Sequence, residues 1–285
     1  MHEVDNTLTE RDIAFVRAFA ELAAKIIYQR VKLQLVLEKS RKLITDIIAG
    51  AKFSMVYQPL YNFNKQQVSG FESLTRFKLE PYQTPDKIFS KANDVGLGFE
   101  LELMAIKSAL EKFHYANDEC FISINISPKY LLNEDCIQAL CQFDLTNVIL
   151  EITEHAIISY YDLLIEPINA LKKKGMRIAI DDAGSGYASF SHILELKADI
   201  IKLDIAIIRN IDSSKRRQAL VAAIVTFAQM TDCQVIAEGV ETLAEFITVR
   251  MLGVDKAQGY FISKPQAIED INIDVVNESM AVFLR

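Results

Sequence analysis

The sequence predicts an α/β protein, a TIM-like (β/α)8 barrel preceded by a long N-terminal helix. Three observations carry this reading. There are eight short apolar runs of buried-strand length, stretches of 3.6-residue periodicity between most of them, and polar side chains recurring near the C-terminal ends of the runs. At 285 residues the chain fits one barrel of about 200–250 residues plus an appendage. Hydrophobic residues at 51% and charged residues at 24% exclude an intrinsically disordered chain.

The N-terminal element spans residues 9–49, opened by Thr9 with Asp12 three residues on as a capping-box signal. Val16, Phe19, Ala23, Ile26, Arg30, Leu33, Leu37, Ser40, Ile44 and Ile47 fall on successive a and d positions of a heptad. All but Arg30 and Ser40 are apolar. Two readings stand side by side, a coiled-coil seam and a helix lying on the domain that follows. From residue 53 the texture changes. The apolar runs occupy residues 55–58, 68–74, 120–126, 148–152, 177–181, 200–204, 234–238 and 257–262. Helical patterns such as residues 157–174 and 215–231 separate them. An open doubly wound sheet is the alternative. No G-x-G-x-x-G follows an early strand, and eight β-α units favour closure. The expected domains are therefore residues 1–50, a signalling-type helix, and residues 51–285, the barrel.

Within the apolar runs stand Glu72, Asn125, Glu151, Asp181, Asp182, Lys202, Asp204 and Glu238. Alone, each reads as a rim residue. Together they would converge at the C-terminal face of a barrel, where catalytic groups gather. Five carboxylates in one basin repel one another and shift their mutual pKa values unless cations neutralise them, and Lys202 supplies only one positive charge. Hard divalent ions meet the need. Mg²⁺ or Mn²⁺, two per site, suits carboxylates and an Asn amide better than zinc does, because no His or Cys lies at these strand ends. Adjacent Asp181 and Asp182 can bridge two ions and hold one, an arrangement that activates water and clamps a phosphodiester.

The formal net charge of -7, without a Lys/Arg run long enough to form a basic stripe, argues against a grip on a nucleic-acid duplex. It would also repel a free phosphodiester, so bound cations must reverse the local sign. Cys120, Cys136, Cys141 and Cys233, and His2, His114, His155 and His192, show no metal-ligand spacing. The cysteines read as reduced thiols of a cytoplasmic protein. Glu3, Asp5, Glu10, Arg11 and Asp12 leave no room for a secretory h-region, and no run of about 18 uncharged apolar residues exists to span a membrane.

The same residues spell a recognisable set of motifs. Phe71-Glu72-Ser73-Leu74-Thr75-Arg76-Phe77 resembles the E-A-L-x-R signature of EAL-domain phosphodiesterases. Tyr57-Gln58-Pro59 resembles the family's opening strand, and Ser123-Ile124-Asn125-Ile126-Ser127-Pro128 its N-x-S-P segment. Leu150-Glu151-Ile152-Thr153-Glu154 is similar to L-E-[IL]-T-E, and the run from Asp181-Asp182-Ala183-Gly184 to Tyr187 is similar to D-D-F-G-T-G-Y. Lys202-Leu203-Asp204, Glu238-Gly239-Val240-Glu241 and Gln258-Gly259-Tyr260 complete the set, which extends over residues 53–265. Residues 12–24 also resemble the last helix of a GAF sensory domain.

The resemblance implies hydrolysis of cyclic di-GMP to linear pGpG by a two-metal mechanism, in a barrel whose first strand is antiparallel to the rest. It implies Glu72, Asn125, Glu151 and Asp181 as ligands of one metal, with Asp181 shared, Asp182 on the second, and Glu238 beside it as ligand or base. Lys202, Glu238 and Glu72 are the implied catalytic residues, Lys202 orienting the nucleophilic water. Gln58, Arg76, Asp204, Glu241 and Gln258 would face the substrate, Arg76 through a phosphate, one helical turn from Glu72 in sequence spacing. Glu154, Gly184 and Gly186 would support the loop after the paired Asp residues. Through that loop the family implies a homodimer. Two positions depart from the pattern. Ser73 replaces Ala, a mild change, and Ala183 replaces Phe, which is expected to loosen the loop. The rival expectation is a silent EAL module acting as a cyclic di-GMP receptor or interaction platform, and such modules lack metal ligands that this chain keeps.

Overall fold

Eight strands close on themselves in chain order in the computed structural model. They are β1 (Phe53–Asn62), β2 (Gln67–Phe77), β3 (Phe121–Asn125), β4 (Val148–Thr153), β5 (Arg177–Ala183), β6 (Ile200–Leu203), β7 (Gln234–Ala237) and β8 (Lys256–Ala257). The structure describes residues 9–113, 120–153, 161–183, 193–194 and 196–283. β1 runs antiparallel to β2 and to β8, and every other neighbouring pair is parallel. The barrel and its reversed first strand are as the sequence and its resemblance implied. Among the described residues the helices are α1 (Glu10–Gly50), α2 (Pro85–Asp94), α3 (Gly98–Phe113), α4 (Glu134–Leu140), α5 (Tyr161–Lys172), the single turn α6 (Ile205–Ile208), α7 (Lys215–Met230), α8 (Leu243–Met251) and α9 (Ile273–Ala281). None of them is long and apolar enough to cross a membrane.

The chain divides into two compact units, residues 1–52 with 83–101, and residues 53–82 with 102–285. In the first, Thr9 and Asp12 form the expected capping box at the start of α1, and Ala51 ends the helix in the left-handed region at φ 43°. Ile44 and Ile47 of α1 are buried, as are Ile88 and Ala92 of α2, and the Arg41 guanidinium donates to the Val95 carbonyl at 2.7 Å.

In the second unit the barrel interior follows the two-residue period of its strands. Leu60, Phe121, Ile149, Ala179, Ile200 and Ile236, one from each of six strands, form one buried apolar cluster. β2 contributes Gly70 near this level, where a Cβ would lie 2.5 Å from the Phe121 ring, so only glycine leaves room for that ring.

Three strands differ from the sequence reading. β1 runs through Pro59 to Asn62, because β1 meets β8 only at Tyr61 and Asn62 and the missing N–H costs little there. β2 continues five residues beyond Glu72 in a long hairpin arm with β1, so Glu72 lies mid-strand and not at a strand end. The predicted strand over residues 257–262 is corrected to Lys256–Ala257. The chain turns after it because Gly259 presses onto the loop after β7, where a Cβ would lie 2.0 Å from the Val240 carbonyl oxygen. The Val240 N–H donates to Gln258 and the Phe261 N–H to Val240.

At the N-terminal mouth, the first residues of β3, β5 and β8 meet. The Arg177 guanidinium carbon and the Lys256 Nζ lie 5.1 and 5.8 Å from the centre of the Phe121 ring, and Lys256 donates to Gln234 Oε1 at 2.6 Å. Burial pulls the Lys256 ammonium down to about 8, against an upward pull from Asp255. Below that pH the lysine is charged in both folded and unfolded chains, and its desolvation weighs fully on the folded state. Between about 8 and the unfolded value near 10.4 the unfolded chain binds the extra proton, so stability recovers as pH rises. Lys256→Met is therefore expected to raise unfolding stability by about 1–3 kcal/mol at pH 7, with the gain fading by pH 10. Denaturant unfolding at the two pH values measures this, and a variant less stable at pH 7 contradicts it.

Candidate metal centre

One two-residue step from the apolar layer toward the C-terminal face, the interior changes from hydrocarbon to ionisable groups. Stepping from Ile149, Ala179, Ile200 and Ile236 reaches Glu151, Asp181, Lys202 and Glu238 on β4, β5, β6 and the end of β7. The same step from Gly70 and Phe121 reaches Glu72 and Ser123, and on the antiparallel β1 the step back from Leu60 reaches Gln58. Asn125 lies one step further on β3. The register sets Gln58 beside Glu72, Glu72 beside Ser123, and Asn125 beside Glu151.

Lys202 is fully buried and sits at the centre. Its Nζ lies 2.6 Å from Glu238 Oε1, 2.8 Å from Glu151 Oε2, 3.3 Å from Asp181 Oδ1 and 3.9 Å from Glu72 Oε1. Burial alone would pull its ammonium down, but Asp181, Glu151, Glu238 and Glu72 together hold it well above the ordinary lysine value. The carboxylates move too. Burial pushes Glu151 well up against the pull of Lys202, and pushes Glu238 up to about 8. Asp182 is raised by burial and then by Asp181 and Asp204. One ammonium does not balance these acids.

The residues fit a divalent cation. Both oxygens of Glu151 are buried without a hydrogen-bond donor, the Lys202 contact being an ion pair that lacks hydrogen-bond alignment. Asp181, Asp182 and Glu238 each bring one oxygen into a group spanning no more than 4.8 Å. Asp182 takes part from a left-handed backbone, φ 59°, at an irregularity in the pairing of β5 with β6, and its N–H donates to Asp181 Oδ1 at 3.0 Å.

Amides frame the acids. Gln258 Nε2 donates to Glu72 Oε2 at 2.5 Å and to Gln58 Oε1 at 3.0 Å, and Gln58 donates to the Ser263 carbonyl. Asn125 Nδ2 donates to Glu72 Oε1 at 3.2 Å. Gln258 Oε1 and Ser123 Oγ are buried without partners. Ser123, fully buried, was not singled out from the sequence, although its two-residue spacing from Asn125 marks it as inward-facing. Ser73 donates to the Ser123 carbonyl at 2.9 Å and so ties β2 to β3.

The outlying residues are placed differently. Arg76 shares the extended β2 with Glu72, so four residues separate them by about 13 Å and not by one helical turn. Its guanidinium donates to the Thr75 carbonyl. Asp204 caps α6, accepting from the Ala206 N–H at 2.6 Å. Glu241 pairs with Arg209, which approaches to 2.6 Å, on the exposed rim. Ala183 ends β5 buried and opposite Leu203. Glu154, Gly184 and Gly186 lie outside the described residues, as do all four histidines.

Two further carboxylates brace this face. Glu102, in α3, accepts from the Ser127 N–H at 2.8 Å and Oγ at 2.5 Å, two residues after Asn125. Glu245, 1% exposed, accepts from the backbone N–H groups of Asn210, Glu241 and Thr242, which joins the loop after α6 to the loop after β7. Glu102 carries no sequence signal of such a role, whereas Thr242 with Glu245 three residues on is a capping box that the sequence shows, though it was not singled out there.

Fold and site define an α/β-barrel protein with a candidate oxygen-donor centre for divalent cations at its C-terminal face. The model of the EAL domain family matches residues 40–265. The chain belongs to the EAL domain family. It is 32% identical over 219 residues to the probable cyclic di-GMP phosphodiesterase PdeA of Escherichia coli, covering 73% of this chain and 30% of PdeA. It is 28% identical over 233 residues to the signaling protein YkoW of Bacillus subtilis, covering 78% of this chain and 29% of YkoW. The chain thus spans about a third of the length of these curated relatives. Among solved structures it is similar to BlrP1 of Klebsiella pneumoniae in a calcium and cyclic di-GMP complex, with a TM-score of 0.70 and 28% identity over 76% of this chain and 56% of that one. The EAL enzyme Bd1971 shares the fold at a TM-score of 0.78 and 22% identity, over 98% and 77% of the two chains.

Glu245→Ala would strand three backbone N–H groups in a buried corner, and is expected to cost about 2–4 kcal/mol in denaturant unfolding. A cost under about 0.5 kcal/mol would mean that water replaces the carboxylate and that the two loops are not braced through it.

Proposed function

We propose that the chain is a cyclic di-GMP phosphodiesterase that opens one 3′-5′ phosphodiester of its substrate to give linear pGpG. The observation that carries the reading is the buried Lys202 ringed by Glu72, Glu151, Asp181 and Glu238, in a chain of the EAL family that keeps every acidic position of the motif set. The substrate is the one for which the E. coli relative PdeA is named and which BlrP1 binds in its calcium complex.

Glu72, Asn125, Glu151 and Asp181 would hold one Mg²⁺ or Mn²⁺, with Asp181, Asp182 and Glu238 around a second. Complexes of BlrP1 with calcium and with manganese support a divalent-cation site, without fixing the number of ions. When bound, the ions supply Lewis acidity for water and for the phosphate oxygens. The chain's own groups do the rest. Lys202 Nζ, held protonated by its four carboxylates, donates a hydrogen bond to the attacking oxygen and fixes its direction. Glu238, whose Oε1 faces the same ammonium at 2.6 Å, would accept at its carboxylate the proton that the water loses as it attacks phosphorus. The leaving ribose 3′ oxygen receives a proton from solvent. Gln258 and Gln58 fix Glu72, and Arg76, further out on the β1–β2 arm, reaches toward the far phosphate.

The expected setting is the cytoplasm, where reduced thiols such as those of Cys120, Cys136, Cys141 and Cys233 persist. Pure protein incubated with cyclic di-GMP and Mg²⁺ or Mn²⁺ should release pGpG, and a chelator should stop it. Glu72→Ala and Asp181→Asn should each lower turnover by about a hundredfold or more while the barrel still melts in one cooperative transition, at a lower Tm. Nucleotide binding without product under either ion would point instead to a receptor, and full activity in either variant would contradict the assigned ligands.

A further inference from the structure

Residues 10–36 of α1 leave large apolar side chains in solvent. The heptad seam residues Val16, Phe19, Ile26 and Leu33 are all more than half exposed, whereas Ser40, Ile44 and Ile47 of the same seam are buried. Phe15, Leu22, Ile27 and Val36 flank the seam and are equally exposed. We propose that this stretch of α1 forms a parallel coiled coil with the same stretch of a second copy of the chain, ending near Leu37 where the seam is covered within its own chain.

Three features select a second copy as the occupant. The seven-residue repeat holds from Val16 to Ile47, and such a repeat imposes a supercoil around another helix, whereas a globular surface has no such period. The seam is self-complementary, since in parallel register Val16, Phe19, Ala23, Ile26 and Leu33 each meet their own copy, while Arg17, Glu21, Lys25 and Lys32 stay on the outer face. Eight seam and flank side chains at 53–74% exposure amount to roughly 800 Å² per copy, the area each partner gives to a standard stable interface. Arg30 is the one charge on the exposed part of the seam. Flanked by Gln29 and Gln34 as amide acceptors, it lowers affinity and fixes register, the known use of a single polar a position.

Sedimentation of the full chain at about 10–50 μM should give a dimer. Phe19→Glu/Ile26→Glu should raise the dissociation constant about a hundredfold or more, while Tyr28→Glu on the outer face should not. In a Cys141→Ser background, Ala23→Cys should crosslink two chains on mild oxidation and Lys25→Cys should not, which tests parallel register in an otherwise unaltered seam. A monomer at 50 μM, a dissociation constant unchanged by Phe19→Glu/Ile26→Glu, or equal crosslinking at positions 23 and 25 would overturn the proposal.

Discussion

The structure turns on one buried ammonium. Lys202 has no exposed surface and four carboxylates within 4 Å, contributed by β2, β4, β5 and the end of β7. A lysine taken wholly out of water survives as a charge only among counter-charges, and removing one partner of such a buried set typically costs about 3–5 kcal/mol. The requirement fixes strand register. A slip of one residue in any of these strands would turn its carboxylate outward, away from the ammonium. The same arrangement has more acid than base, so Glu151 and Glu238 are driven toward protonation by burial. That imbalance makes the site a place for hard cations, and stability and chemistry share one constraint.

Much of this was legible in the sequence because barrel strands obey a period of two. Glu151, Asp181, Lys202 and Glu238 each follow an aliphatic residue by two positions, and the alternation needs no structure to be seen. The eight runs likewise read directly as a closed barrel. Other features were written in tertiary contact. The reversed direction of β1 has no periodic signature and came only with the family resemblance. β8 shrank to two residues because Gly259 meets the Val240 backbone, a contact between distant segments. Arg76 was placed a helical turn from Glu72 by counting residues, while the strand spreads that count over a much longer distance. Glu102 braces the C-terminal face from a helix without a local sequence signal, whereas Glu245 was legible as a capping-box residue after Thr242 but its reach to the Asn210 N–H was not.

The two mouths of the barrel divide the labour. At the N-terminal mouth the charges of Arg177 and Lys256 rest against the Phe121 ring, and burial pulls the pKa of both down further than Asp199 and Asp255 pull it up. At the C-terminal mouth the charges are negative and the loops are pinned by carboxylates accepting backbone N–H groups. Within α1 itself, Val16, Phe19, Ile26 and Leu33 of the heptad seam are exposed, and Ser40, Ile44 and Ile47 are buried.

The central claim is that the carboxylates around Lys202 form a cation site. The most direct measurement is the melting temperature of the pure chain as Mn²⁺ or Mg²⁺ is titrated without nucleotide. A cation that binds only the folded state adds about 2.7 kcal/mol of stability at a hundred times its dissociation constant, so Tm should climb with concentration. In Asp181→Asn the climb should be lost. A Tm indifferent to every divalent cation, or one that rises equally in Asp181→Asn, would contradict it.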